Sequence, residues 1–229
     1  MENIIFCSSP FQVLVAREVV QTVSEDFIGI YLKMSHDARQ DFYAERMAEF
    51  CKEVIVLEGK TVLSDIQEAL KDRSIRNIYL ASLDNPVALS IFNPSTMSLY
   101  TFDDGSTSIV PLNLYTQNLE RDIPYTNFTL REVMSLSNRH YTVFEDCILF
   151  PKEKQVFLRL YLEPSDFHRA KNGKKISVFL GQFLGSLLYQ EDLEITQKLT
   201  AKILDEQRID YYYPHPRVPL NPYQDKLKE

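Results

Sequence analysis

Glycine is scarce in this chain of 229 residues: there are 6, at Gly29, Gly59, Gly105, Gly173, Gly181 and Gly185. That is under half the roughly 7% usual in globular proteins. Neither G-x-G-x-x-G nor G-x-x-x-x-G-K-[ST] can be written with them, so the standard glycine-rich phosphate cradles are excluded. A nucleotide must be held by other means. Cysteine is equally sparse. The three, Cys7, Cys51 and Cys147, show no C-x-x-C spacing, which excludes a disulfide framework and a zinc-finger-like site. Cys7 and Cys51 sit in apolar patterns and read as small core residues, in keeping with a reducing cytoplasm. Positive charge is in deficit: 25 Lys and Arg against 32 Asp and Glu give −7. That is no footprint for nucleic acid, and the one dense basic run, residues 171–175 (KNGKK), reads as a solvated linker. Apolar runs all fall short of the roughly 20 residues that span a bilayer. The opening Met1-Glu2-Asn3 lacks the basic start of a signal peptide. The expectation is a cytoplasmic protein that at most rests on the inner face of the cell membrane.

What is present is a strand-and-helix alternation. Residues 3–8 (NIIFCS) read as a buried strand, and Pro10 then opens a helix to Val23, with proline where a first turn tolerates it. Strands follow at 27–32, 53–57, 77–81 and 97–102, with helices at 37–50 (Ala38, Phe42, Met47 and Phe50 inward) and 85–92. Ser64 to Gln67 and Thr129 to Glu132 have the spacing of capping boxes. Such alternation predicts a parallel α/β sheet. The middle of the chain is less regular, with strands at 141–144 and 155–160. After KNGKK the rhythm restarts: strand 175–180, a helix over 192–205 with Ile195, Leu199 and Ile203 four residues apart, and strand 209–213. The boundary falls there, giving domains 1–168 and 169–229.

Two motifs carry candidate chemistry. Asp103-Asp104-Gly105-Ser106 directly follows the fifth strand, and ligands of open parallel sheets bind beyond the carboxyl ends of strands. Adjacent carboxylates repel, which raises the proton affinity of at least one and makes a general base. Gly105 lets the backbone turn with positive φ. The same four residues are also ordinary turn chemistry. Tyr213-Pro214-His215-Pro216-Arg217 follows the last strand. Its prolines constrain the backbone around an imidazole able to move a proton, and Arg217 suits a phosphate or carboxylate. A rigid surface turn is the alternative. His36, His140 and His168 show no partner in the pattern and read as structural or surface residues.

Together these motifs resemble the bacterial sialyltransferases, which share a D/E-D-G motif followed by an H-P motif. The likeness is nearest to glycosyltransferase family 52, the lipooligosaccharide sialyltransferases. It extends to Asn3-Ile4-Ile5-Phe6-Cys7, Ser9-Pro10-Phe11-Gln12-Val13-Leu14, Phe179-Leu180-Gly181-Gln182 and Tyr212-Tyr213-Pro214-His215-Pro216-Arg217. The resemblance implies a GT-B architecture: a Rossmann-like N-terminal domain on the acceptor side and a second Rossmann-like domain on the nucleotide side. It implies CMP-sialic acid as donor, a galactose-terminated glycan as acceptor, inversion at the anomeric centre, and neither metal nor cofactor. Asp103 takes the base role, with Asp104 as the second choice. His215 protonates or hydrogen-bonds the departing phosphate. Gly105, Ser106, Gly181, Gln182, Pro216 and Arg217 line the substrates. Asp192, at the apparent start of a helix, is a rival base and equally a plain helix cap. Because the chain ends thirteen residues after Pro216, the second domain is expected to be incomplete. A homodimer that completes the site, and a shortened, catalytically weak or inactive member that binds glycan or self-associates, are the two corollaries.

Overall fold

The computed structural model describes residues 1–33, 38–59, 62–111, 113–160, 177–180, 198, 200–204, 206 and 209–213. The chain divides into two compact units, Met1–Leu162 and Glu163–Glu229. In the first, seven strands form one sheet: β1 (Glu2–Cys7), β2 (Phe27–Lys33), β3 (Glu53–Glu58), β4 (Ile75–Leu80), β5 (Ser98–Phe102), β6 (Ser137–Thr142) and β7 (Gln155–Phe157). Their spatial order is β3-β2-β1-β4-β5-β6-β7, and every neighbouring pair is parallel. The expected α/β parallel sheet is therefore present, in the doubly wound order that reverses direction between β1 and β4.

The sequence reads as near-continuous apolar runs because both faces of the central strands are covered. On one face Ile4, Phe6, Ile28, Ile30, Ile78 and Leu80 pack with Ile66, Leu70 and Leu130. On the other, Ile5, Cys7, Phe27, Tyr31 and Tyr79 pack with Val15, Val19 and Met47. The helices supplying these residues are α1 (Pro10–Val23), α2 (Ala38–Met47), α3 (Val62–Leu70) and α6 (Leu130–Leu136), with the shorter α4 (Pro86–Ser90) and α5 (Leu114–Gln117) between α3 and α6 in the chain. Cys7 and Cys51 are buried core thiols.

Three local expectations are corrected. Met47 is buried as expected and Phe50 packs against the core, but Phe42 is 53% exposed; Gln40 and Ala44 complete the inner face of α2, continued by Cys51, at helical spacing. Tyr31 donates its hydroxyl to Gln40 Oε1 at 3.2 Å, which is why a polar residue can lie inward there. Ser64 lies within α3, which starts at Val62, so the predicted capping box does not begin that helix. The box at Thr129 and Glu132 does begin α6, with both reciprocal bonds formed. The third correction is β6, which starts at Ser137, four residues before its predicted start at Tyr141.

In the second unit, β8 (Val178–Leu180) pairs in parallel with β9 (Tyr211–Tyr213). Among the described residues no helix is long and apolar enough to cross a membrane.

Candidate active site

β5 ends at Phe102, and the next two residues are carboxylates in opposite surroundings. Asp103 still holds strand register, its N–H donating to Tyr141 O at 3.1 Å. Its side chain has no exposed surface. Oδ2 accepts the Val143 N–H at 2.6 Å. Oδ1 accepts from the Ser108 hydroxyl at 2.5 Å and from His140 Nε2–H at 3.2 Å. An ionised carboxylate only accepts, so the imidazole proton facing it must sit on Nε2. His140 Nδ1 lies 3.0 Å from Thr101 Oγ1, and the ring stacks on Phe150 with centroids 4.4 Å apart. Burial disfavours the charged imidazole, but the hydrogen bonds and charges of Asp103 and then Cys147 outweigh it, so proton affinity at His140 is raised.

Asp104 is half-buried and turned the other way. Oδ1 accepts from Gln12 Nε2–H at 2.5 Å; Oδ2 accepts from the Ser82 hydroxyl at 2.8 Å and the Tyr115 hydroxyl at 3.2 Å. Gln12 follows β1 and Ser82 follows β4, so these groups meet Asp104 at the carboxyl edge where the sheet order reverses. Gln12 cannot flip, because its Oε1 already accepts the Ser8 N–H at 2.6 Å. Tyr115 also lies 3.5 Å from Asp84 Oδ1, and Asp84 pairs with Arg121. Burial first, and the Asp104 and Asp84 carboxylates next, push the Tyr115 phenol well above its usual range, so it stays a donor.

Between the two carboxylates and Ser108 runs a single 3-10 turn, Gly105–Ser108. Gly105 has φ +83°, as its place after the carboxylates suggested. Ser106 is exposed on that turn.

Asp103, Asp104, Gly105 and Ser106 thus share one turn at the sheet's carboxyl edge. Gly181, Gln182, His215, Pro216, Arg217 and the rival Asp192 lie outside the described residues, as do His36 and His168. Sequence reading missed Gln12, Ser82 and Tyr115, and it gave His140 no partner. The available signal for Gln12 was a polar residue on the inward side of an amphipathic helix. Donor atoms of Asp103, His140 and Cys147 lie within 4.8 Å of one another. Carboxylate, imidazole and thiolate are zinc-competent types. Here Asp103 already receives three hydrogen bonds, and we read the group as a closed hydrogen-bonded network.

An open, doubly wound parallel sheet with polar groups gathered at its reversal point defines an α/β protein of the class whose ligands bind at that edge. Residues 24–221 match glycosyltransferase family 52, and the chain belongs to that family. It is 26% identical over 233 residues to the CMP-N-acetylneuraminate:beta-galactoside alpha-2,3-sialyltransferase of Pasteurella multocida, covering 94% of this chain and 73% of that protein. It is also 26% identical over 234 residues to the N-acetyllactosaminide alpha-2,3-sialyltransferase of Haemophilus influenzae, covering 93% of this chain and 73% of the relative.

Proposed function

We propose that this chain transfers sialic acid from CMP-sialic acid to the 3-hydroxyl of a terminal β-galactoside, with Asp104 accepting the proton of that hydroxyl. Family membership and the names of two relatives support the reaction. The observation that carries the residue is the contrast in burial. Each accepts three hydrogen bonds, but Asp103 has no exposed surface, whereas Asp104 keeps part of its surface at the carboxyl edge. A base must come within hydrogen-bond reach of the proton it takes. Burial therefore moves the role from Asp103, the first choice on sequence, to Asp104.

In the proposed step the acceptor oxygen bonds to the anomeric carbon of sialic acid as the bond from that carbon to the CMP phosphate breaks. The configuration inverts. The proton passes to Asp104, and the departing phosphate takes a proton or hydrogen bond from His215. Gly181, Gln182 and Arg217 are assigned to the donor side by the resemblance, and Gly105 and Ser106 to the acceptor side. The acceptor is a galactose-terminated lipooligosaccharide glycan, and the step uses no metal.

The test is a transfer assay with CMP-sialic acid and N-acetyllactosamine. Asp104→Asn should lower kcat by about 10²- to 10⁴-fold, the span of general-base contributions, with CMP affinity retained by calorimetry. Wild-type kcat in that variant overturns the assignment. A chelator should leave the rate unchanged.

A further inference from the structure

A cavity of about 270 Å³ lies between the end of α4 and the loop that leads into α6. It shares no residue with the turn that carries Asp103 and Asp104. We propose that it is a separate, non-catalytic binding site for one neutral sugar ring of a galactoside, with Tyr125 as the face on which the ring stacks.

Tyr125 is not explained by the fold that carries it. Ile123 to Thr126 make a reverse turn, closed by the Thr126 N–H on Ile123 O at 3.2 Å. Pro124 stands second in that turn and Tyr125 third, with φ +63°. A turn with positive φ at its third residue normally holds glycine or asparagine there, and a bulky L-residue is strained. Burial does not offset the strain, because Tyr125 is 79% exposed. Its hydroxyl has no hydrogen-bond partner among the described residues. The loop itself is stiff. Thr126 Oγ1 donates to Ile123 O at 2.8 Å and accepts the Phe128 N–H at 3.2 Å, and Asp122 bridges Thr129 at the loop's neck. The chain thus bears a strained conformation to hold an aromatic ring out on a preorganised support.

The lining sets the class of ligand. No Asp, Glu, Lys or Arg lines the cavity, in a chain with 25% charged residues. A phosphate or carboxylate finds no charged partner there, which argues against a nucleotide and against an acidic sugar. Phe92, itself buried, packs on half-buried Phe128 with centroids 5.8 Å apart and forms an apolar wall. Asn93 and Asn127 are exposed at the cavity and supply its amides. Asn93 Oδ1 accepts the Ser95 N–H at 3.0 Å, which leaves its NH₂ end to donate. Neither end of the Asn127 amide has a partner among the described residues. A hexopyranoside matches both halves of this lining. The C–H bonds of its apolar face are positive at their ends and suit the negative face of an aromatic ring. Its hydroxyls both donate and accept. The volume suits one ring, since clefts for drug-sized ligands run to about 300–1,000 Å³. The choice of a galactoside rests on the acceptor class proposed above.

The test titrates lactose into the isotope-labelled full chain without CMP-sialic acid. The backbone amides of Thr126, Asn127 and Phe128 and the side-chain amides of Asn93 and Asn127 should shift together and saturably by NMR, and CMP should leave them in place. Shifts confined to other residues, or equal shifts with CMP, overturn the proposal. So do shifts that follow protein concentration instead of lactose, which mark a contact between copies. Tyr125→Gly separates binding from folding. Glycine suits φ +63°, so this variant should melt close to or above wild type, while lactose affinity falls about tenfold, the scale of one aromatic contact. Melting several degrees lower would show that the tyrosine serves the fold, and wild-type affinity would show that it does not touch the sugar; either result sinks the site. Asn127→Ala removes an exposed amide with no partner to lose, so it should melt with wild type and bind lactose more weakly, and full affinity there contradicts the assignment. The transfer reading fails separately. A chain that takes lactose at Tyr125 but moves no sialic acid onto it loses the reaction and keeps the site, and the converse result loses the site alone.

Discussion

Gln12 and Asp104 lie 92 positions apart in the chain and meet through a hydrogen bond of 2.5 Å from Nε2 to Oδ1. The amide is held from behind by the Ser8 N–H on Oε1, so only its donor end can face the carboxylate. This links the first crossover of the fold to the group proposed to take the acceptor proton.

Replacing Gln12 tests that link. Gln12→Leu removes one donor from a charged acceptor, an interaction worth about 1.5–3 kcal/mol. Expressed in kcat, that is roughly ten- to a hundredfold if the transition state depends on the aim of Asp104. Gln12→Glu should behave differently. Its second oxygen falls against Asp104 Oδ1, and two carboxylates at such a separation bind a proton more tightly than either alone. The acid limb of the kcat profile should move to higher pH in Gln12→Glu and not in Gln12→Leu. Parallel profiles in the two variants would count against Asp104 as the base.

The two neighbouring carboxylates should separate stability from activity. Asp103→Asn leaves His140 without its counter-charge and disturbs three buried hydrogen bonds. Breaking a buried pair of this kind typically destabilises by about 3–5 kcal/mol. Asp104→Asn weakens three hydrogen bonds to a charged acceptor, but on a half-buried group, and should cost less, about 1.5–3 kcal/mol. Urea midpoints should therefore fall in the order wild type, Asp104→Asn, Asp103→Asn. In transfer rate, measured where all three are folded, Asp104→Asn should be the slowest.

His140 makes stability depend on pH with a definite sign. Its proton affinity is raised in the folded state, because Asp103 and Cys147 outweigh the opposing effect of burial. The folded protein then binds the proton more tightly than the unfolded chain, whose imidazole titrates near 6.5. This contribution is fully present below about pH 6.5 and is lost as pH rises through the folded value. Cys147, held below the usual thiol range by hydrogen bonding and charge from His140 against the opposing effect of burial, adds stability of the opposite pH dependence. That contribution sets in as pH passes the lowered folded value, so the comparison is made in a Cys147→Ser background, which removes it. Denaturation of Cys147→Ser with and without His140→Gln, from about pH 5 to about pH 8, should show the advantage of the His140 protein shrinking with rising pH. A constant or growing advantage contradicts the sign.

The parts of the fold that were legible in sequence are those where burial is two-sided and apolar. Ile4, Ile5, Ile28, Ile30, Ile78 and Leu80 form runs that no exposed element would carry, and Pro10 marks the first turn of α1. β6 was read too short for the converse reason. Its buried positions include Ser137, His140 and Thr142, and its remaining early residues, Asn138 and Arg139, are exposed. Polar side chains at buried positions are admitted because each finds a partner: Ser137 and His140 on Thr101, and Thr142 on the Phe144 backbone. A hydropathy pattern cannot show such pairing. The carboxylate motif was visible because two adjacent aspartates directly follow a strand, at the end where parallel sheets bind ligands. Gln12, Ser82 and Tyr115 were not, because their meeting with Asp104 depends on the strand order, which brings the ends of β1, β4 and β5 side by side.

Two of the scarce glycines should fail for different reasons when substituted. At Gly29 an added Cβ would stand 2.8 Å from Met47 Cε and 3.1 Å from Cys51 Sγ. The clash is with a flexible side-chain end and a thiol, so Gly29→Ala should destabilise by about 1–3 kcal/mol, the usual range for an overfilled core. Gly29→Ala combined with Met47→Val, which removes the clashing methyl, should recover part of the loss. At Gly105 a Cβ meets nothing within 4 Å, yet φ is +83°. The penalty there is conformational, roughly 1–2 kcal/mol for an ordinary L-residue. Asparagine visits the left-handed region more readily than alanine, so Gly105→Asn should be the more stable of the two by thermal melting. It should also keep more activity, because the turn that aims Asp104 is less distorted. Equal loss in Gly105→Ala and Gly105→Asn would mean that the turn needs the absence of a side chain at Gly105 and not merely its backbone angle.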